Sequence, residues 1–249
     1  MIRRLKDKRL LVVGAATGIG RAVAAAAVAE GARVVIADLA AERGATTARD
    51  IGAGFIRCDV ADEASVKVTV AGAAEMLGGL DGLVNNAGLQ RAGALEEIAV
   101  DDWDSLMAVN TRGVFLATRE AIPHLRAAGG GSIVNTSSLA GKRGGPGIAA
   151  YAASKGAVMA FTTAAALELA RDRIRVNSVC PGFIDTPFNN PAIAFMGGRE
   201  EQARIVERMV PLGRQAVPEE VAPLYVYLLS DESAYVTAQA LSVDGGVYN

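Results

Sequence analysis

Residues 9–21 read R-L-L-V-V-G-A-A-T-G-I-G-R. The first five are a short apolar run typical of a buried strand, and glycines 14, 18 and 20 then lead into an alanine-rich, helix-like segment that ends near Glu30. Glycines let the backbone approach a pyrophosphate, and the positive end of the following helix stabilises its charge. The stretch predicts a phosphate-binding turn, although its G-x-x-x-G-x-G spacing would also serve close packing of a helix on a strand.

A second apolar run, Ala32 to Ala37, ends in Asp38, twenty residues after Gly18. An acidic residue at this distance accepts hydrogen bonds from an adenosine ribose in dinucleotide-binding folds. Its carboxylate would repel a 2′-phosphate, and Leu39 beside it has no positive charge to hold one, so we expect NAD in preference to NADP. A cap of the helix from Ala40 is an equal interpretation of Asp38 alone, but it does not account for the glycines.

Strand-like and helix-like segments alternate along the rest of the chain. The pattern predicts strands at Gly54–Cys58, Leu80–Val84, the run ending at Ser138, Arg175–Cys180 and the run ending at Val243, and a long helix from Asp101 to about Arg126. Such alternation indicates an α/β Rossmann-type, doubly wound parallel sheet of about seven strands with helices on both faces. No linker divides residues 1–249, so we expect one domain. The rival fold, a (β/α)₈ barrel, would place phosphate binding late in the chain.

The composition favours a small-molecule partner. Apolar residues make up 51% of the chain and aromatic residues 5%, which suits tightly packed helices on a sheet. The net charge of −2 provides no basic field for nucleic acid or an anionic membrane, and no stretch reaches the ~20 apolar residues of a membrane span. Cys58 and Cys180 are too few for a disulfide framework and predict a cytoplasmic protein. The single histidine, His124, leaves no multi-histidine zinc site and no Ser-His-Asp triad, and we expect no metal.

Residues 138–155 read S-L-A-G-K-R-G-G-P-G-I-A-A-Y-A-A-S-K. Tyr151 and Lys155 are four residues apart and therefore share one face of a helix. Ser138 ends a buried strand, and the Gly/Pro-rich loop after it returns the chain to that helix, so a hydroxyl, a phenol and an ammonium come together. An ordinary helix pair is the alternative interpretation of the tyrosine and lysine. Asn110 lies inside the long helix, where a buried unpaired amide costs free energy, so it either faces water or has a polar role.

Two further segments are expected near the site. N-N-A-G, Asn85 to Gly88, follows a strand, and its small residues would let the backbone approach a flat ring, although a plain turn would look the same. Residues 187–214 are predicted to be irregular and to form an apolar flap over a pocket, or to pack between subunits. The candidate substrate contacts are Gln90, Leu139, Lys142, Arg143, Phe183, Phe188, Phe195 and Met196. Arg91, Lys142 and Arg143 would suit a hydroxy acid's carboxylate if they face the pocket, but a solvated surface is the favoured position for them. The phenylalanines and Met196 favour an apolar cyclic or aryl-alkyl secondary alcohol, which ranks first.

Taken together, the motifs resemble the short-chain dehydrogenase/reductase family, in the branch of about this chain's length. The resemblance covers essentially the whole chain and rests on G-A-A-T-G-I-G, Asp38, N-N-A-G, V-N-T-R-G, Ser138, Y-A-A-S-K, V-N-S-V-C-P-G-F-I-D-T and V-D-G-G in this order. It implies hydride transfer between a secondary alcohol and a ketone, a nicotinamide cofactor and a homotetramer. It implies catalytic roles for Asn110, Ser138, Tyr151 and Lys155. It implies cofactor contacts at Gly14, Thr17, Gly18, Ile19, Gly20, Asp38, Leu39, Asp59, Val60, Asn86, Ala87, Gly88, Tyr151, Lys155, Pro181, Gly182, Ile184 and Thr186.

The resemblance also implies how the four catalytic residues divide the work. Tyr151 would be the acid/base, Lys155 would favour its phenolate and bind ribose hydroxyls, and Ser138 would position the substrate oxygen. Asn110 would hold a water that links Lys155 to solvent. A dinucleotide-binding sensor without turnover is the alternative of a different class, and the four filled positions oppose it.

Two residues depart from the family pattern. Val13 stands where the family usually has threonine, which removes a hydroxyl that braces the cofactor-side loops. Ala238 stands where the family usually has glycine, directly after Thr237 and before the last strand. The first departure predicts a less rigid N-N-A-G segment and leaves the chemistry unchanged.

Overall fold

A computed structural model describes residues 3–248 of the chain. Its strands are β1 (Arg9–Val13), β2 (Arg33–Asp38), β3 (Gly54–Arg57), β4 (Gly82–Asn85), β5 (Gly131–Thr136), β6 (Ile174–Pro181) and β7 (Ala240–Val243). They form one sheet in the order β3-β2-β1-β4-β5-β6-β7, and every pairing between neighbours is parallel. The order reverses between β1 and β4, which opens a crevice at the carboxyl ends of these strands. The Rossmann-type fold predicted from the alternating pattern is confirmed.

Helices cover both faces of the sheet. They are α1 (Gly18–Ala29), α2 (Ala41–Ile51), α3 (Glu63–Leu77), α4 (Val100–Met107), α5 (Gly113–Ala127), α6 (Leu139–Arg143), α7 (Ala149–Leu169), α8 (Asn190–Phe195), α9 (Arg199–Met209) and α10 (Pro218–Leu229). Successive strand residues point to opposite faces, so Leu10 and Val12 pack against α1 and α10 while Leu11 and Val13 pack against α3 and α5. The two apolar cores hold the strand ends, and therefore the crevice, in fixed positions.

The long helix predicted from Asp101 to about Arg126 is present, since the chain is helical from Val100 to Ala127, but residues 108–112 form a π-helical turn between α4 and α5 that the apolar spacing does not reveal. Two other local predictions are wrong. Residues 187–214 are not irregular, since they contain α8 and α9, which are separated by two glycines with φ of 100° and 103°. The loop after Ser138 begins as the short helix α6, because the Ser138 hydroxyl accepts a hydrogen bond from the Ala140 N–H at 3.1 Å and caps it.

The two departures from the family pattern have different structural settings. Ala238 adopts φ of 60°, in the left-handed region that glycine enters without a steric penalty. Val13 is buried, and its carbonyl accepts a hydrogen bond from the Asn86 N–H at 2.9 Å. The Asn86 side chain also donates to the Gly14 carbonyl at 2.7 Å. The N-N-A-G segment is therefore tied to the glycine turn without a hydroxyl at position 13.

Two further findings concern the cysteines and the lengths of the helices. Cys58 and Cys180 are both buried free thiols. Within residues 3–248, no helix combines the length and the apolar character needed to cross a membrane.

Candidate active site

A cavity of about 1070 Å³ occupies the crevice at the carboxyl ends of the strands. One end is formed by the turn after β1 and by Asp38 and Leu39. The other end is formed by aromatic and apolar side chains of the flap, including Phe188 and Phe195, and by α9. Ser138, Tyr151 and Lys155 line the wall between the two ends, so the cavity joins the predicted phosphate turn to the predicted catalytic residues.

The glycine turn is shaped by close backbone contacts. Gly14 has φ of 78°, and a Cβ built on it would lie 2.3 Å from the Ala87 nitrogen. A Cβ on Gly20 would lie 2.1 Å from the Gly14 carbonyl oxygen, so Gly20 closes the turn from behind and does not line the cavity. Gly18 has φ of 57° and begins α1, whose N-terminus is therefore turned to the cavity. Unpaired backbone N–H groups and the helix dipole make this end suited to an anion.

Asp38 fixes the loop that follows the glycine turn. Its carboxylate accepts hydrogen bonds from the Ala16 N–H at 2.9 Å and from the Ala40 N–H at 3.0 Å. Helix α2 begins at Ala41, and no side chain caps its first turn, so Asp38 is not the cap of this helix. Leu39 lines the cavity with 55% of its surface exposed. This end of the cavity therefore presents a carboxylate and an apolar side chain to a ligand.

Tyr151 and Lys155 project from the first two turns of α7. Lys155 is 2% exposed, and its Nζ donates to the Thr136 carbonyl at 2.8 Å and lies 6.0 Å from the centre of the Tyr151 ring. Helix α6 presses on α7 through Gly141, where an added Cβ would lie 2.7 Å from the Lys155 carbonyl carbon. Ser138, at the start of α6, is thereby held beside the tyrosine and the lysine.

Burial shifts the pKa values of both groups in the direction that disfavours charge. Tyr151 is 6% exposed, and burial raises its pKa to about 12, which a hydrogen bond with Ser138 partly offsets. Burial lowers the pKa of Lys155 to about 8. A positive charge placed beside the phenol would stabilise the phenolate and bring the tyrosine closer to service as a base near neutral pH.

Asn110 lies in the π-helical turn and is fully buried. Its Oδ1 accepts from the Leu89 N–H at 2.7 Å, while its Nδ2 donates to the Leu89 carbonyl and to Ser154 Oγ, both at 2.9 Å. A Cβ on Gly88 would lie 3.4 Å from Oδ1 and 3.5 Å from Lys155 Nζ. Asn110 therefore has a polar role, as its place inside a helix predicts. It holds the backbone after β4 in place. Because both amide N–H groups are used, a water would have to bind the second lone pair of Oδ1.

Behind the site lies a polar connection that the sequence did not reveal. Thr136 Oγ1 lies 2.7 Å from the hydroxyl of Tyr225 and 3.2 Å from Asn86 Oδ1. Tyr225 is fully buried on α10, and burial raises its pKa. Because these residues are far apart in the chain, no local pattern joins them. The one sequence signal for this contact is the tyrosine itself, because a buried tyrosine requires a hydrogen-bond partner.

Most of the proposed ligand contacts meet in the cavity. Every predicted cofactor contact except Gly20 lines it, as do Gln90, Leu139, Arg143, Phe183, Phe188, Phe195 and Met196 from the substrate set. The Phe188 and Tyr151 ring centres are 6.1 Å apart, so the flap covers the phenol. Sequence reasoning missed Gln202, Ile205, Arg208 and Met209, which α9 adds to the lining because their spacing places them on one helix face.

Two basic residues do not take the expected position. Lys142 is not part of the lining, because its ammonium donates to the Ala240 carbonyl at 2.8 Å and to Ser242 Oγ at 2.9 Å. Successive side chains of a helix diverge, so Arg143 reaches the cavity and Lys142 does not. Arg91 forms an ion pair with Asp102 at 3.0 Å and is also absent from the lining. Lys142 and Arg91 therefore do not supply the carboxylate-binding charge considered for them.

The sequence is similar to a family model and to several known proteins, in agreement with the fold. A family model described as enoyl-(acyl carrier protein) reductase matches residues 14–248. The chain is 39% identical over 249 residues to a 3-oxoacyl-(acyl-carrier-protein) reductase of Thermotoga maritima, covering 98% of this chain and 99% of the relative. It is 39% identical over 254 residues to 2-(S)-hydroxypropyl-CoM dehydrogenase 3 of Xanthobacter autotrophicus, with 99% of each chain covered.

A third relative, trans-4-hydroxycyclohexanecarboxylate dehydrogenase of Sinomonas cyclohexanicum, is 39% identical over 254 residues, which cover 98% of this chain and 93% of the relative. All three are named as reductases or dehydrogenases, so they are oxidoreductases. The match extends over nearly the full length of each protein and includes the glycine turn, the end of β4 and the Tyr151 helix. The chain belongs to the short-chain dehydrogenase/reductase family.

Proposed function

We propose that this protein is an NAD(H)-dependent oxidoreductase that interconverts a secondary alcohol and a ketone. The observation that carries the proposal is one continuous cavity, with the glycine turn and Asp38 at one end and Ser138, Tyr151 and Lys155 along its wall. A site for a nucleotide and a site for proton transfer are thereby joined in one space. We propose that residues 1–249 act as one catalytic domain, with the flap of residues 187–214 over the substrate.

The residues at the nucleotide end fit a dinucleotide. Gly14 leaves no room for a side chain beside Ala87, and the N-terminus of α1 is turned to the cavity, which suits a pyrophosphate. Asp38 can accept hydrogen bonds from ribose hydroxyls, and a phosphate on the 2′ oxygen would meet its negative charge. The exposed Leu39 provides no compensating cation. These features support NAD in preference to NADP.

Side chains of the protein would transfer the proton that accompanies the hydride. When bound, the nicotinamide would accept a hydride during oxidation and donate one during reduction. Tyr151 would take the hydroxyl proton in oxidation and return it to the carbonyl oxygen in reduction. The Lys155 ammonium favours the phenolate, and Ser138 hydrogen-bonds the same substrate oxygen as charge develops on it. Asn110 positions the neighbouring backbone through Leu89.

The substrate end of the cavity supports an apolar cyclic or aryl-alkyl secondary alcohol. Phe188, Phe195 and Met196 line it, and the Phe188 ring lies over Tyr151. The relative from Sinomonas cyclohexanicum acts, by its name, on a hydroxylated cyclohexane ring, which supports a cyclic substrate here. A hydroxy acid is the second candidate, and it is favoured by Arg143, the one member of the predicted basic set that lines the cavity.

Replacement of Tyr151 tests the reaction class. A panel of secondary alcohols is incubated with the wild-type protein and NAD⁺ at alkaline pH, and the appearance of NADH is followed. Tyr151→Phe should bind NADH normally and lose turnover with every alcohol, because no proton acceptor remains. Tyr235→Phe, at a fully exposed tyrosine, is the matched control and should keep wild-type rates. Near-normal activity of Tyr151→Phe would refute the assignment, and NADH binding without turnover in the wild type would favour a sensor.

Cofactor preference tests the role of Asp38. With the best alcohol from the panel, kcat/KM for NAD⁺ should exceed that for NADP⁺ by about 100-fold, as expected when one carboxylate hydrogen bond is replaced by charge repulsion. A strong preference for NADP⁺ would contradict the proposal.

We further propose a homotetramer, as the family resemblance implies. The exposed apolar side chains of Phe115 on α5 and Leu167 on α7 support an interface on this side of the molecule. Light scattering of the purified protein measures the assembly, and a monomeric mass would contradict this part of the proposal.

A further inference from the structure

Two glutamine side chains line the substrate half of the cavity. Gln90 follows the N-N-A-G segment and is 8% exposed, and Gln202 lies on α9 and is 4% exposed. Buried carboxamides normally have hydrogen-bond partners, because an unpaired one loses its interactions with water and gains none in return.

The carboxamide of Gln90 has no such partner. Its Oε1 is buried without a hydrogen bond to any residue in the described range 3–248. The backbone N–H of Gln202 donates to the Gly198 carbonyl at 3.0 Å, and its side chain lines the cavity without a hydrogen bond to the residues of the described range. Both residues line the cavity from different elements, and the unpaired Oε1 of Gln90 is shielded from it in this rotamer.

Gln90 is also held firmly from both sides. The preceding residue, Leu89, is fixed by hydrogen bonds of 2.7 and 2.9 Å to Asn110. The guanidinium of the following residue, Arg91, pairs with Asp102 at the surface and donates to the Gln90 carbonyl at 3.2 Å. The backbone that carries Gln90 is therefore held in place, as is typical of a residue that recognises a ligand.

We infer that Gln90, assisted by Gln202, is a specificity-determining residue that binds a second, neutral polar group of the substrate, a hydroxyl or a carbonyl, away from the reacting oxygen. This inference rests on the proposed function and narrows its substrate class to cyclic secondary alcohols with such a group. A hydroxyl suits this carboxamide best: when the amide turns about its last side-chain bond and brings Oε1 to the cavity, the hydroxyl can donate to Oε1 and accept from Nε2. A carboxamide is neutral and gives an anion no compensating charge, and the guanidinium groups of Arg143 and Arg208 lie at the exposed edge of the cavity.

The test compares cyclohexanol with trans-1,4-cyclohexanediol, which differ only in the second hydroxyl. With NAD⁺, wild-type kcat/KM should be about tenfold higher for the diol after division by two for its two equivalent carbinols, as expected for one added hydrogen bond that also satisfies a buried acceptor. Gln90→Leu should bring this ratio to near one, chiefly through KM for the diol. Gln239→Leu, at an exposed glutamine, should keep the wild-type ratio.

A ratio that is unchanged in Gln90→Leu would overturn the inference. A higher kcat/KM for trans-4-hydroxycyclohexanecarboxylate than for the diol would also overturn it, if Arg143→Leu removes this advantage. That result would show that the second polar group of the preferred substrate is an anion. The melting temperature of the NADH-bound protein is measured with excess diol or cyclohexanol as a readout that needs no turnover. Absence of oxidation of every alcohol would contradict the proposed function alone, while a greater stabilisation by the diol that disappears in Gln90→Leu would still support the role of Gln90.

Discussion

Burial of the Lys155 ammonium should lower the stability of the folded protein. It is 2% exposed, and burial lowers its pKa from 10.5 to about 8. A difference of this size between the unfolded and the folded chain corresponds to about 3 kcal/mol of unfolding free energy at neutral pH. Between pH 8 and pH 10.5 the unfolded chain binds more protons than the folded chain, so the cost is fully present below pH 8 and disappears as the pH rises through 10.5.

Lys155→Met removes this cost and keeps a long side chain in the same space. The variant also loses the 2.8 Å hydrogen bond from Nζ to the Thr136 carbonyl, which is worth about 1 kcal/mol. We therefore expect the variant to be more stable than the wild type by about 2 kcal/mol at pH 7. At pH 10 the gain should be close to zero, because the remaining cost of about 1 kcal/mol is offset by the lost hydrogen bond.

Urea unfolding of both proteins at pH 7 and pH 10 measures the difference. The raised pKa of Tyr151 lowers the stability of both proteins as the pH passes 10, so the comparison uses the difference between variant and wild type at each pH. Lys67→Met, at an exposed lysine on α3, is the control and should change stability by less than about 0.5 kcal/mol at both values. A variant that is no more stable at pH 7, or whose gain is the same at pH 10, would refute the reasoning.

Three further substitutions probe the backbone around the site. Ala238→Gly should raise the unfolding free energy by about 0.5–1 kcal/mol in urea, because φ of 60° strains alanine, and a loss of stability would contradict the strain. Gly14→Ala should abolish dinucleotide binding measured by calorimetry, because its Cβ would meet the Ala87 nitrogen at 2.3 Å; Gly52→Ala has a similar φ but open space and should bind normally. Asn110→Ala should lower stability by about 2–3 kcal/mol and reduce kcat, since buried backbone groups lose their partners, and wild-type values for both would exclude its positioning role.

The architecture was predictable because its signals are local. Each strand is a short apolar run, each crossover is a helical pattern, and a chain that repeats them has few ways to bury both faces of a sheet. The turn at Gly14 and the pair Tyr151 and Lys155 were predictable for the same reason, since their spacing within the chain fixes their geometry. The π-helical turn at residues 108–112 was not, because a single inserted residue hardly changes the apolar spacing.

What escaped prediction in the site depends on contacts between distant segments. The orientation of Lys142 is decided by carbonyl and hydroxyl groups of β7, about 100 residues later in the chain. Gln202 reaches the cavity only because residues 199–209 are helical, and their strongly polar sequence resembles a surface segment. The bond between Thr136 and Tyr225 likewise joins β5 to a helix near the end of the chain. Such contacts follow from the tertiary fold and not from any spacing within the sequence.

The loop after the glycine turn has a consequence for protein engineering. The two Asp38 carboxylate oxygens accept hydrogen bonds from the backbone N–H groups of Ala16 and Ala40. The carboxylate that we propose selects the cofactor therefore also holds the loop around it in place. Conversion to NADP use by Asp38→Ala would therefore loosen the loop while it removes the repulsion, and two opposing effects would be mixed in one measurement. A redesign that keeps an accepting side chain at position 38, such as serine, and adds Leu39→Arg would change the electrostatics while it preserves part of the backbone support.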